Sequence, residues 1–150
     1  MLPRLFLALA EELALADGPA ACRTAISRAY YAVFHTAQRF LERMGFHQPK
    51  RDPHTVLQQR LQNSSDADIA FVGARLAQLH HERVQADYYL DNHWPEKKDN
   101  ALAAMRKGAT MIAASEACPI HSQRWKDMRV SIAKANITGT DNLVDTSSSP

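Results

Sequence analysis

The chain has 150 residues, 45% of them apolar, which suffices for one domain with a real core. Its formal charge of +2 is too small to advertise nucleic acid by itself. Only two cysteines, Cys22 and Cys118, are present, which argues against a disulfide framework and fits buried thiols in a reducing compartment.

Ala, Leu, Glu, Gln and Arg dominate, five glycines are present, and β-branched residues never alternate with polar ones. This favours helix throughout and leaves no credible strand. A first helix is expected from Pro3 to Ala16, striped by Leu2, Phe6, Leu9 and Leu13. Its apolar run, Leu5 to Ala10, stops at Glu11-Glu12, too short for a secretion signal. No run approaches the roughly 20 apolar residues of a membrane span, so a cytoplasmic protein is expected.

Asp17-Gly18-Pro19 ends that helix and opens a second, from Pro19 to about Met44, closed by Gly45. The prolines of Phe46 to His54 mark a loop. A short helix is expected from His54 to Gln62, and Asn63-Ser64-Ser65-Asp66 supplies a break and a new N-cap. A long helix follows, about Ala67 to Leu90, striped by Val72, Leu76, Leu79, Ala86 and Leu90. Asn92-His93-Trp94-Pro95 separates it from a helix near Glu96 to Ala117, striped by Leu102, Met105, Ala109 and Ile112. After Cys118-Pro119 a last helix spans Ile120 to Ala135, and residues 136–150 are polar and read as a flexible tail. The architecture is all-α: an antiparallel up-and-down bundle of four to five helices, with an extra C-terminal helix and tail.

The second helix carries the stretch SRAYYAVFH, Ser27 to His35. At about 100° per residue, Ile26, Tyr30, Val33, Ala37, Phe40 and Met44 share one stripe, the core face. Arg28 and His35 both project about 180° from it, with Tyr31 beside them and Arg39 one turn on. A solvated face is the plain reading. Tyr31 and Phe34 flanking the pair argue instead for a covered face, where a second copy could dock.

The segment SRAYYAVFHTAQRFL resembles the helix signature of HEPN-domain proteins, particularly the small stand-alone family. PHTVLQQRL is similar to that family's His-containing third helix, and ERVQADYYLDN looks like its Arg-x-x-Ala-Asp-Tyr element. Together these run from about Ala16 to Ala117, which would make residues 1–117 the HEPN-like bundle and 118–135 a C-terminal extension. The resemblance implies a homodimer and a metal-independent ribonuclease with an Arg-x4–6-His motif in a cleft at the dimer interface. It also implies the toxin half of a toxin–antitoxin or defence pair, partnered by a nucleotidyltransferase-type antitoxin. Other family members bind RNA, nucleotides or partner proteins without cleaving, which is the alternative here. No cofactor or metal is implied.

Two pairs satisfy the motif: Arg28 with His35, and Arg75 with His80 (or His81). The first pair lies on one face two turns apart, whereas the second is splayed by about 140°. Arg28 and His35, supported by Tyr31, are therefore the candidate catalytic residues, with Arg75 and His80 the runner-up pair. An imidazole of pKa near 6.5 can move the protons of ribose-assisted cleavage, and a guanidinium can stabilise charge on the phosphate.

Elsewhere, Arg83 falls within the apolar stripe of the long helix with Asp87 four residues on, a spacing for a structural ion pair. Arg39, Lys50, Arg51, Arg124 and Lys126 are candidate RNA contacts. Lys50 and Arg51 sit in a basic loop with His47 and His54; Arg124 and Lys126 sit in a cluster around Trp125. A solvated loop and a partner-binding helix are the competing readings.

Overall fold

The computed structural model describes residues 1–141, with side chains to Asn136. Six α-helices follow one another: α1 Arg4–Leu15, α2 Pro19–Arg43, α3 Pro53–Gln62, α4 Ala67–Tyr88, α5 Lys98–Glu116 and α6 Gln123–Asp141. A 3₁₀ turn, Trp94–Glu96, lies between α4 and α5. The all-α bundle with a further C-terminal helix is the architecture expected from the sequence, and no strand occurs among the described residues.

Local chemistry sets the breaks. Gly18 takes φ 123° and hands over to Pro19 at the first turn of α2. Gly45, at φ 90°, closes α2, with the Phe46 amide turning back to the Leu41 carbonyl at 3.0 Å. Asp66 caps α4 by accepting from the amides of Asp68 and Ile69, both at 3.1 Å.

Helix α2 is the axis of the molecule: α1, α4 and α5 all pack against it, α3 packs on α4, and α6 on α3. Its expected stripe, Ile26 to Met44, is buried in full. Two other stripes differ from expectation. In α1 the buried positions are Ala10 and Ala14, with Phe6, Leu7 and Leu13 half-buried, while Leu2 and Leu9 face outward. In α5 the buried positions are Ala101, Ala104, Gly108, Met111, Ile112 and Ser115, with Leu102 and Met105 on the flank. Small residues let α5 lie close on α2: a Cβ at Gly108 would come 3.5 Å from the Ala29 carbonyl oxygen. Leu90 is exposed because α4 ends two residues earlier.

The long α4–α5 connection takes its shape from a side chain on α2. Arg23, buried, donates to the carbonyls of Ala86, Tyr89, Leu90 and Asn92 at 2.6–3.2 Å, and twice to Glu96 Oε1 at 2.8 and 3.1 Å. One guanidinium thereby gathers four carbonyls at a helix C-terminus and loop, sharing that of Tyr89 with the Asn92 amide, which also donates to it at 3.1 Å.

Helix α6 starts three residues later than expected and continues into the segment read as tail; residues 142–150 lie outside the described residues. Trp125, Met128 and Ile132 are buried in the common core. Arg129 Nε donates to the Met44 carbonyl at 2.8 Å, and the Ser65 amide donates to Ser131 Oγ at 2.8 Å.

Candidate functional site

The face of α2 that carries Arg28 and His35 is covered by α1. The Phe6 ring lies between the two residues. It stacks on the His35 imidazole with centroids 5.7 Å apart, and the Arg28 guanidinium stands over the same ring, 5.6 Å from its centroid. Arg28 is also 5.6 Å from the Tyr31 ring, so its planar cation is held by two aromatic faces. Its Nε is buried without a hydrogen-bond partner. His35 is half-exposed and lines a cavity of about 250 Å³ with Gln38, Arg39 and Glu42, roofed by Pro3 and Phe6.

The rings continue inward from His35. Tyr31 stacks on it at 6.0 Å and Phe34 meets it edge-on at 5.2 Å. Phe34 then touches His54 of α3 at 4.7 Å, and His54 stacks on His80 of α4 at 4.9 Å. Tyr30, fully buried, closes the set: its ring stacks on His80 at 5.1 Å and its hydroxyl bonds His54 Nδ1 at 2.5 Å. Three histidines from three helices thus share one contiguous aromatic cluster.

Charge in the cluster is controlled from α4. Arg83 donates to the Tyr31 hydroxyl at 2.8 Å and pairs with Asp87 at 2.9 Å, while Ser27 donates to the same carboxylate at 3.2 Å. The Arg83 guanidinium also stands over the rings of Tyr31 and Tyr88, 5.4 Å from each. Burial holds the pKa of His54 below the ordinary histidine value, helped by Arg83 and opposed by Asp52. Burial also lowers His80, with His54 and Arg83 adding to the effect. Both rings are therefore neutral at pH 7. Burial pushes the Tyr30 phenol far up, so it keeps its proton, and its hydroxyl shares one hydrogen bond with His54 Nδ1.

The remaining candidates are dispersed. Arg75 is exposed, donates to Gln78 at 2.9 Å and lies over Phe71 at 5.0 Å, apart from the ring set to which His80 belongs. Arg39 is exposed and donates to the Met1 carbonyl at 2.8 Å. Lys50, Arg51 and Lys126 are exposed. Arg124 is bound to Asp66 and, at 3.2 Å, to Asp68, and so ties α6 to the cap of α4. Its hydrogen bond holds the Asp66 carboxyl below the usual range. Among the described residues no group of three or more His, Cys, Asp or Glu converges as a metal site. No described helix is long and apolar enough to cross a membrane.

Sequence reasoning did not anticipate that His54 and His80 meet, nor the role of Arg23. His54 reads as one member of a basic loop and His80 as part of an Arg–His pair on its own helix. Nothing local in either segment signals a contact across 26 residues. Comparison of the chain with protein-family models, curated proteins and solved structures found no match.

Proposed function

We propose that this chain is a HEPN-type ribonuclease that cleaves RNA through its own side chains, as the toxin half of a toxin–antitoxin or defence pair. The observation that carries the reading is the half-exposed His35 at the mouth of a cavity, with Arg28 and Arg39 along the same face of α2. An imidazole there can take the proton of a ribose 2′-hydroxyl as the 2′-oxygen attacks the adjacent phosphorus. The P–O5′ bond breaks, and the leaving 5′-oxygen takes a proton from a second imidazole, the His35 of another copy in a homodimer. The products are a 2′,3′-cyclic phosphate and a 5′-hydroxyl. Arg28 stabilises the charge that builds on the phosphate oxygens. A nucleotidyltransferase-type partner would serve as antitoxin in the cytoplasm.

One observation favours a second reading, a non-cleaving RNA- or nucleotide-binding module. Phe6 occupies the space between the two candidate residues, where a scissile phosphate would have to enter. The two readings separate on incubation of the purified chain with end-labelled single-stranded RNA. The nuclease reading expects cyclic-phosphate products that disappear in His35→Ala and Arg28→Ala variants of unchanged helicity. Equal cleavage by His35→Ala removes that residue from the chemistry, and binding without cleavage by the parent chain leaves the second reading.

A further inference from the structure

The cavity beside His35 shares Pro3 and Arg39 with a larger one, of about 530 Å³, on the other side of Arg39. Its walls are the start of α1, the α2 positions Thr36, Phe40 and Arg43, and the turn after α5 at Cys118 to Ile120. Along α2 the groups His35, Arg39 and Arg43 follow at successive turns, about 6 Å apart along the axis, a step close to that between neighbouring phosphates of an extended strand.

The charges of the larger space are not balanced: Arg4, Arg39 and Arg43 line it against the single carboxylate of Glu116, which Arg4 occupies, while Glu42 lines the smaller cavity and accepts from Gln38 at 2.9 Å. Arg39 meets only a backbone carbonyl, and Arg43, exposed, has no side-chain partner among the described residues. Two guanidiniums that form no ion pair among the described residues thus face a groove whose rim carries the exposed Leu2 and Ile120. We propose that this groove is a track for the phosphodiester backbone of single-stranded RNA, with consecutive phosphates on Arg39 and Arg43 as the strand leads to His35. The proposal rests on the RNA reading above and extends it to a residue, Arg43, and a surface outside the candidate pair. A space of this size accepts a few groups of an extended strand and excludes a rigid duplex.

The test is binding of a fluorescent eight-nucleotide RNA, 2′-O-methylated throughout so that it cannot be cleaved, measured by anisotropy on the full chain. Arg39→Ala and Arg43→Ala should each weaken binding about tenfold, as expected for loss of a charged hydrogen bond. Each should also lower the slope of log affinity against log salt by about 0.7. Arg106→Ala, an exposed arginine on α5, should bind like the parent chain, and the matching duplex should bind at least tenfold more weakly. Parent-like affinity and salt slope in Arg43→Ala, or equal binding of the duplex, would overturn the track. Methylated RNA bound in an Arg43-dependent way, with unmodified RNA left intact, retains the track and removes the nuclease reading. His35-dependent cleavage with Arg43-independent binding does the reverse.

Discussion

The Tyr30 hydroxyl and His54 Nδ1 lie 2.5 Å apart, joining the buried heart of α2 to the first turn of α3. Only one contact of hydrogen-bonding length therefore ties the phenol to a helix that otherwise packs chiefly on α4. Tyr30→Phe keeps the ring stacks but leaves Nδ1 without its hydrogen-bond partner. We expect a loss of about 1 kcal/mol, because half-buried His54 can turn to water. Urea unfolding checks it, with an unchanged m-value showing that the fold persists.

Acid should loosen the same region. His54 and His80 have pKa values depressed in the folded chain, so the unfolded chain binds protons more readily. Their contribution to stability is complete above the unfolded value of about 6.5 and is lost as pH falls through it towards the folded values. Besides each other, the rings face Arg83, His35 and His81 as repelling charges and Asp52 as an attracting one. The melting temperature should therefore fall between pH 7 and pH 5. A His54→Asn, His80→Asn double variant should lose that dependence; the same slope in both chains would assign it elsewhere.

Gly73→Ala should be costly. A Cβ at this position would lie 2.7 Å from the Gln62 amide nitrogen and 2.8 Å from Leu61 Cβ, so α3 and α4 would have to separate. Overpacking of this kind costs about 1–3 kcal/mol. Thermal melting of Gly73→Ala beside Gly108→Ala makes the comparison, since a Cβ at Gly108 meets only ordinary contacts at 3.5 Å.

Arg23→Met should cost about 3 kcal/mol, since it strands the buried Ala86 carbonyl, takes the cation from Glu96 and frees the half-buried Leu90 and Asn92 carbonyls. The Trp94–Glu96 turn should lose order with it, which amide hydrogen exchange across 89–97 would register. Protection equal to that of the parent chain would show that the connection holds its shape without the guanidinium.

Phe6→Ala should open the space between Arg28 and His35. If Phe6 occupies the place of a stacking base, affinity for a single-stranded RNA should rise severalfold in this variant, with a modest loss of stability from a half-buried ring. Reduced affinity would mean that Phe6 holds the site together rather than blocking it.

Much of this fold was legible because its punctuation is chemical: Gly18-Pro19, Gly45 and Asp66 act through their own backbone or side chain. The α2 stripe was legible because its large apolar residues recur at helical spacing. The α5 stripe was not, since Ala101, Ala104 and Gly108 carry little hydrophobic signal and matter for the closeness they permit. Wheel arithmetic put Arg28 and His35 on one face but could not say what lies over it. Helix α1 has leucines on both sides, so its expected stripe held Phe6 and Leu13 but also the outward Leu2 and Leu9, and missed the fully buried Ala10 and Ala14. The end of α6 was hidden for a related reason: Asn136, Thr138 and Gly139 are poor helix formers, and the helix continues through them.

The seating of Trp125, Met128 and Ile132 against the rest of the core has a consequence for biosynthesis. A nascent chain halted near Ala117 would have all of α1 to α5 yet still show water the apolar ground on which the last helix rests. Closure must wait until those three side chains have cleared the ribosomal exit tunnel, so the first five helices emerge before the piece that seals them.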